Sequence, residues 1–290
     1  MQYGICNLGI VPIRLEPSDT SEMVTQALYG DLFKVLEQRK KWSRIRFAFD
    51  NYEGWIDNKQ YLEIEESNYS ELSKSEINLS KDLIEYVSDQ SNNLYPIPVG
   101  SDLNGLELLN HKFDGTVLSS KSHKSEIVKT SFLFLNAPYL WGGKTPFGID
   151  CSGFTQMVYK LNGYKLFRDA SEQAFQGEAL SFIEESEPGD LAFFDNSEGN
   201  IIHVGIIMED NHIIHAHGKV RIDRLDHSGI YNVDKNIHTH KLRVIKKIIK
   251  KTRLYESLFF IILCDILITT SRGLNFLNFY FHCFKLISLT

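Results

Sequence analysis

Two apolar runs with three polar residues between them constrain the fold of this chain most. IIHVGIIM (201–208) and HIIHAHG (212–218) flank Glu209, Asp210 and Asn211. Both runs are rich in β-branched residues, and the tripeptide between them has turn chemistry. They read as two strands joined by a tight turn. The first strand carries His203 and the second His215, 12 residues apart. An even separation across an odd-numbered loop puts both side chains on one sheet face, as direct or diagonal cross-strand neighbours. His217 shares that face if the strand continues.

The rest of the chain falls into contrasting stretches. At 290 residues the length suggests two domains. Residues 1–64 hold short β-like runs, IVPIRL, DLFKVLEQ, WSRIRFAFD and YEGWIDNKQYLEI, broken by Pro17, Gly30 and Asp50-Asn51. They suggest a small barrel. Residues 65–123 read as a connector, rich in Ser, Glu and Lys at first, with a short helix near 82–87 and strand pieces at PIPVG and GTVLSS. Residues 124–248 read as a mixed α/β domain. In it SEIVKTSFLFLN and CSGFTQMVYKLNG have helical spacing, with Phe154, Val158 and Leu161 on one face and Gly163 as a stop. EPGDLAFFD reads as turn then strand, and KLRVIKKI as a last strand. Residues 249–290 form an apolar tail of unknown role. Its longest run, LFFIILCDILITT, is shorter than the roughly 20 residues a membrane helix needs. A tail with no selected role is favoured over membrane contact.

Charge and cysteine usage exclude several classes. A net charge of −6 argues against a nucleic-acid partner. Four cysteines without a C-x-x-C pair give neither a disulfide framework nor a zinc ribbon, and they fit a reducing compartment. The first residues hold no Lys or Arg ahead of the apolar run, which Pro12 interrupts, so no secretory signal is expected.

Cys151 carries the sharpest chemical signal. It stands where a glycine-containing loop, YLWGGKTPFGID, gives way to a helix, and a helix N-terminus favours the thiolate nucleophile. Gly148 and Gly153 would leave room for a substrate backbone. A buried structural cysteine is the bland alternative, but Asp150 and Ser152 flank the thiol. A thiolate needs a base and the base an orienter, roles that His203 and His215 fit. A zinc site from His203, His215 and His217 is the competing reading, without a strong ligand motif behind it. His212, His227, His238 and His240 read as turn or surface residues.

At these residues the chain resembles a family. YLWGGKTPFGIDCSGFTQMVY, PGDLAFFD and HVGIIMEDNHIIHAHG, in that order, resemble the NlpC/P60 cysteine peptidases of the cell wall over roughly 125–247. SEMVTQALYGD and YEGWI resemble a bacterial SH3-like domain. Together they are similar to the γ-D-glutamyl-L-diamino acid endopeptidases, or dipeptidyl peptidase VI. The resemblance implies an α+β fold, a papain-like catalytic domain preceded by a small SH3-like β-barrel. It implies Cys151 as nucleophile, His203 as base and His215 as orienter. It implies Tyr139 near the oxyanion, and Trp141, Asp150 and Ser152 along the cleft. Asp169 would hold the substrate's free amine, with Glu22 and Tyr52 of the SH3-like domain walling the same pocket.

The expected activity is hydrolysis of the γ-D-Glu–diamino acid bond in murein peptides bearing a free L-Ala amine. Neither metal nor organic cofactor is expected. A monomer in the cytoplasm is the expected state, or a membrane-associated one if the tail binds lipid. An acyltransferase or amidase on the same fold, and a non-catalytic wall-binding protein, are the rival functions. Lysine and diaminopimelate are not distinguished by these residues.

Overall fold

The computed structural model describes residues 2–249. The apolar tail beyond Ile249, with Cys264 and Cys283, lies outside the described residues. The N-terminal runs fold as β structure. Strands β1 (Gln2–Ile5), β2 (Ile10–Arg14), β3 (Met23–Leu28), β4 (Leu32–Gln38), β5 (Trp42–Phe47), β6 (Glu53–Asp57) and β7 (Leu62–Ile64) make one sheet in the order β3-β2-β6-β5-β4-β1-β7. Alternation does the sorting: on β5, Ser43, Ile45 and Phe47 are buried while Arg44 and Arg46 face out. The inner faces meet in a core of Val11, Ile13, Phe33, Val35 and Ile45. Asn51 takes the left-handed conformation at φ 63°, and Asp50 accepts the Tyr52 N–H at 3.0 Å, which closes the β5–β6 turn.

The middle segment is more ordered than its composition suggests. Helix α1 (Glu66–Leu72) buries nothing. Short strands follow: β8 (Leu79–Ser80), β9 (Ile84–Ser88), β10 (Leu94–Pro98), β11 (Lys112–Phe113) and β12 (Val117–Leu118). The helix expected near 82–87 is corrected to strand: β9 is the centre of the sheet β10-β9-β11. Pairing on both edges and the burial of Val87 among Tyr29, Ile97 and Leu103 override local helix preference.

The C-terminal part supplies helices and a second sheet. Helix α2 (Glu126–Ser131) runs into a tight turn at Phe132–Phe134. The ribbon β13 (Lys144–Thr145) and β14 (Gly148–Ile149) leads into α3 (Cys151–Leu161), and α4 (Ala170–Gln173) follows. Strands β15 (Glu178–Leu180), β16 (Leu191–Asp195), β17 (Ile201–Ile207), β18 (His212–His217), β19 (Lys219–Asp226), β20 (Gly229–Asn232) and β21 (Ile237–Lys247) pair in the order β15-β21-β16-β17-β18-β19-β20. A further β20–β21 pairing joins the ends into a closed six-stranded barrel. The hairpin β17–β18 lies within it.

Helix α3 packs on β17 and β18. Phe154, Met157 and Val158 interlock with Phe193, Val204 and Ile214. All of α3 is buried, not only one face. The SH3-like domain covers its other side. Gln156 donates to Asp50 at 2.8 Å, and Lys160 to Asp31 at 3.2 Å. Among the described residues no helix is long and apolar enough to cross a membrane.

Candidate active site

The hairpin register sets the first part of the site. His215 lies opposite Gly205, so His203 and His215 are diagonal neighbours. A Cβ on Gly205 would press on the His215 Cβ and on Ile213, so glycine leaves the imidazole free to lean across. His203 Nε2 and His215 Nδ1 are 2.8 Å apart, and both rings are buried. The diagonal repeats on the next strand, where His215 Nε2 meets Asp223 Oδ2 at 3.1 Å. Arg221 clamps Asp223 at 2.7 and 2.8 Å and reaches Asp234 at 2.8 Å.

This chain fixes the tautomers. Burial alone would raise Asp223, but hydrogen bonds from His215 and Arg221 bring its carboxyl down to about 2. An ionised carboxylate only accepts, so His215 carries its proton on Nε2. Its Nδ1 then accepts from His203 Nε2–H. That leaves the His203 Nδ1 lone pair as the free base. Burial, then the neighbouring imidazoles, hold His203 neutral, well below the ordinary histidine range.

Cys151 opens α3 against this relay. The Val204 backbone N–H, next to His203, hydrogen-bonds the thiol, as does the Ser152 N–H. The expected lowering of the thiol pKa by the helix terminus is corrected. Burial first, and the Asp150 charge second, push it up to about 12. At rest the pair is therefore neutral thiol and neutral imidazole. The Cys151 N–H has no partner among the described residues and points out of the first helical turn.

Asp150 is structural as well as close. It caps α3 by accepting the Gly153 N–H at 2.6 Å, accepts the Gly142 N–H at 2.8 Å, and binds buried Arg168 at 2.6 Å. Arg168 also holds Ser152 Oγ at 3.0 Å and Thr25 of β3 at 2.8 Å. Asp150 and Ser152 thus lie behind the nucleophile, buried, rather than along an open wall. Tyr139 is exposed at the edge of the site, yet its phenol is raised to about 12 by partial burial and then by Cys151 and Asp150.

Acidic residues of the two domains also meet aromatic partners across their junction. Asp169 hydrogen-bonds the Tyr52 phenol. Burial raises the Asp169 carboxyl. Glu172 is raised by burial and then by Asp169, with Asp50 adding to both. Exposed Glu22 accepts the Trp141 indole N–H at 2.6 Å. Of the ten residues singled out in the sequence, Cys151, His203, His215 and Tyr139 meet at one centre. Of the others, Asp169 pairs with Tyr52, and Glu22 with Trp141.

Residues 136–239 match the NlpC/P60 family, and residues 13–60 match the bacterial dipeptidyl-peptidase SH3 domain. The chain carries an NlpC/P60 domain with that SH3 domain in front of it. A gamma-D-glutamyl-L-lysine dipeptidyl-peptidase of Bacillus subtilis is 40% identical over 102 residues, 34% of this chain and 34% of that protein. One of the same name from Bacillus cereus is 28% identical over 234 residues, 69% of this chain and 68% of that protein. The crystal structure of an NlpC/P60 family protein from Bacillus cereus superposes with a TM-score of 0.70 at 19% identity, covering 86% of this chain and 100% of that one. The chain thus spans about a third of the first relative's length. Both of these relatives are named as peptidases.

Within the NlpC/P60 domain, two readings of the sequence change. Gly148 and Gly153 do not make room for substrate: a Cβ on them would meet the Leu140 side chain and the Gly143 carbonyl. His240 is not a surface residue. It is half-buried on β21, stacked on His203 with ring centroids 4.2 Å apart. His217 also turns toward the centre, 4.9 Å from His240. Yet no group of His, Cys, Asp and Glu among the described residues is arranged to hold a metal ion. Asp223 escaped sequence reasoning altogether. In KVRIDRLD it looks like one of several charges on the outer face of a strand. Its even spacing of eight from His215 was the available signal.

Proposed function

We propose that this chain hydrolyses the γ-D-Glu–diamino acid bond of murein peptides that carry a free N-terminal L-Ala. The observation that carries the reading is the half-buried Asp169, hydrogen-bonded by Tyr52 and backed by Glu172 and Asp50. A carboxylate raised by burial gains most from a cationic partner. A free α-amine supplies one through charge-assisted hydrogen bonds. Glu22 and Trp141 wall the pocket, and a blocked amine would leave its acids unpaired.

Cys151 is the nucleophile in this reading. His203 Nδ1 takes the thiol proton as Sγ attacks the scissile carbonyl, and the oxyanion forms against the Cys151 N–H and the Tyr139 phenol. His203 then gives the proton to the departing amine and leaves a thioester. Water, deprotonated by the same imidazole, releases L-Ala-γ-D-Glu. His215 and Asp223 keep the His203 ring and tautomer in place. Neither metal nor organic cofactor enters this scheme. Peptides with a free amine have already been cut from the wall, so the proposed setting is turnover of released fragments in the cytoplasm. The free thiols Cys6 and Cys151 are in keeping with a reducing compartment.

The test compares L-Ala-γ-D-Glu-L-Lys with its N-acetyl form. The expected result is dipeptide release from the free-amine substrate alone, abolished in Cys151→Ala. Equal cleavage of both forms would remove the amine-reading roles of Asp169, Tyr52 and Glu22. No cleavage of either by folded wild-type protein would overturn the peptidase reading.

A further inference from the structure

A cavity beside His203 has different chemistry from the surroundings of Asp169. Tyr139, Ile202, His203, His217, Gly218 and His240 line an open cavity of about 320 Å3 that contains none of the acidic pocket residues. Because His203 must protonate the departing amine, the leaving group has to lie on this side of the base. The lining offers hydrogen-bond donors and no carboxylate. His240 Nδ1 is taken by Thr239 Oγ1 at 2.8 Å, which leaves Nε2 free. His217 has no hydrogen-bond partner among the described residues.

Two cations act on His217 from outside the lining. Burial first, then the Lys235 ammonium and the Arg221 guanidinium, hold the His217 imidazole neutral. Arg221 is already paired with Asp223 and Asp234. Lys235, on the turn between β20 and β21, has no acidic partner among the described residues. Two imidazoles besides His203 thus line the cavity, and the exposed Lys235 ammonium, outside the lining, is close enough to act on His217 through its charge.

We propose that this cavity is a leaving-group subsite that reads the free α-carboxylate of the departing diamino acid. The inference rests on the peptidase reading above for which side the leaving group occupies. The N–H groups of His217 and His240 donate to the carboxylate oxygens, and Lys235 supplies the countercharge. Ile202, 55% exposed, packs the methylenes of the side chain. A lysine ε-ammonium finds no acceptor acid in the cavity, so it points to solvent. The acids around Asp169 and the donors of this cavity thus match the two charged ends of a short peptide. Longer stem peptides, whose carboxylate is displaced by at least one residue, are poorer ligands.

Binding to the inactive Cys151→Ala protein tests this without turnover. Calorimetry compares L-Ala-γ-D-Glu-L-Lys with its C-terminal carboxamide, in that protein and with Lys235→Ala or His217→Gln added. The carboxamide should bind about tenfold more weakly, since charge-assisted hydrogen bonds are roughly twice as strong as neutral ones. Lys235→Ala should shrink that ratio to below about threefold, whereas His217→Gln, which keeps a donor, should retain most of it. Equal binding of the two peptides would overturn the subsite even if the wild type hydrolyses both. A persistent carboxylate preference in a wild type that hydrolyses neither would uphold the subsite and sink the peptidase reading. Binding of neither would overturn both.

Discussion

At the scale of single residues, the relay beyond Cys151 decides how the site can act. Asp223 touches no reacting atom, yet it selects the His215 tautomer and through it the free nitrogen of His203. Asp223→Asn keeps the shape but lets the amide donate to His215 Nε2, which inverts the tautomers along the chain. Turnover should fall by about 10²–10⁴, as tautomer-setting carboxylates do elsewhere. The His215 Nε2 proton should vanish from the low-field NMR spectrum; unchanged turnover with that resonance intact would remove the role. The pH profile follows from the same burial. His203 is held neutral well below the ordinary histidine range, so its protonation sets the acid limb of kcat/KM below pH 6.5. An acid limb at or above that value would mean the imidazole is solvated. Stability has its own acid limb. Asp223, depressed to about 2, stabilises the fold above the unfolded carboxyl value of roughly 3.9, and that contribution is lost as pH falls through about 2.

At the scale of elements, α3 shows where sequence patterning suffices and where it fails. The loop-to-helix change at Cys151 and the hairpin with His203 and His215 were legible, because hydrophobic period and turn chemistry are local. Asp223 and His240 were not legible. Their strands, β19 and β21, alternate charge and apolarity like solvent-facing edges, and only closure of the barrel turns one face inward. Bulges on β21 re-aim His240, and no local pattern announces a bulge. Strand β9 was misread for a similar reason, since its partners are distant in sequence. The start of α3 is held by Asp150, whose charge is matched by Arg168 at 1% exposure. Asp150→Ala removes the cap and strands a buried guanidinium, so it should cost about 3–5 kcal/mol. Adding Arg168→Met should recover part of that loss in urea unfolding. Strict additivity of the two substitutions would mean that the pair does not interact.

At the scale of the whole molecule, the SH3-like domain is packed directly against helix α3. The catalytic helix is apolar toward the barrel and polar toward the SH3-like side, where Gln156 is as buried as Phe154 and Lys160 is buried too. An α3 without that partner would expose these groups to no purpose, or bury them unpaired. Asp31 is the focus. Burial would raise its carboxyl, yet Lys160 and Lys144 together bring it below the ordinary range. The two ammonium groups lie 3.2 and 3.9 Å away, both nearly inaccessible. The Lys144 N–H also donates to Gln26 of β3 at 2.8 Å. Core side chains continue across the boundary, with Leu28 of β3 in one cluster with Phe154 and Val158. Such a junction should not melt in pieces. Calorimetry of the full chain should give one cooperative transition for both domains. Asp31→Ala, which leaves two buried ammonium groups uncompensated, should lower stability by about 3–5 kcal/mol, moving that single transition as a whole. Two separate transitions, with Asp31→Ala shifting only one, would show instead that the domains fold independently. The amine pocket proposed at Asp169, Tyr52 and Glu22 would then need another source of rigidity.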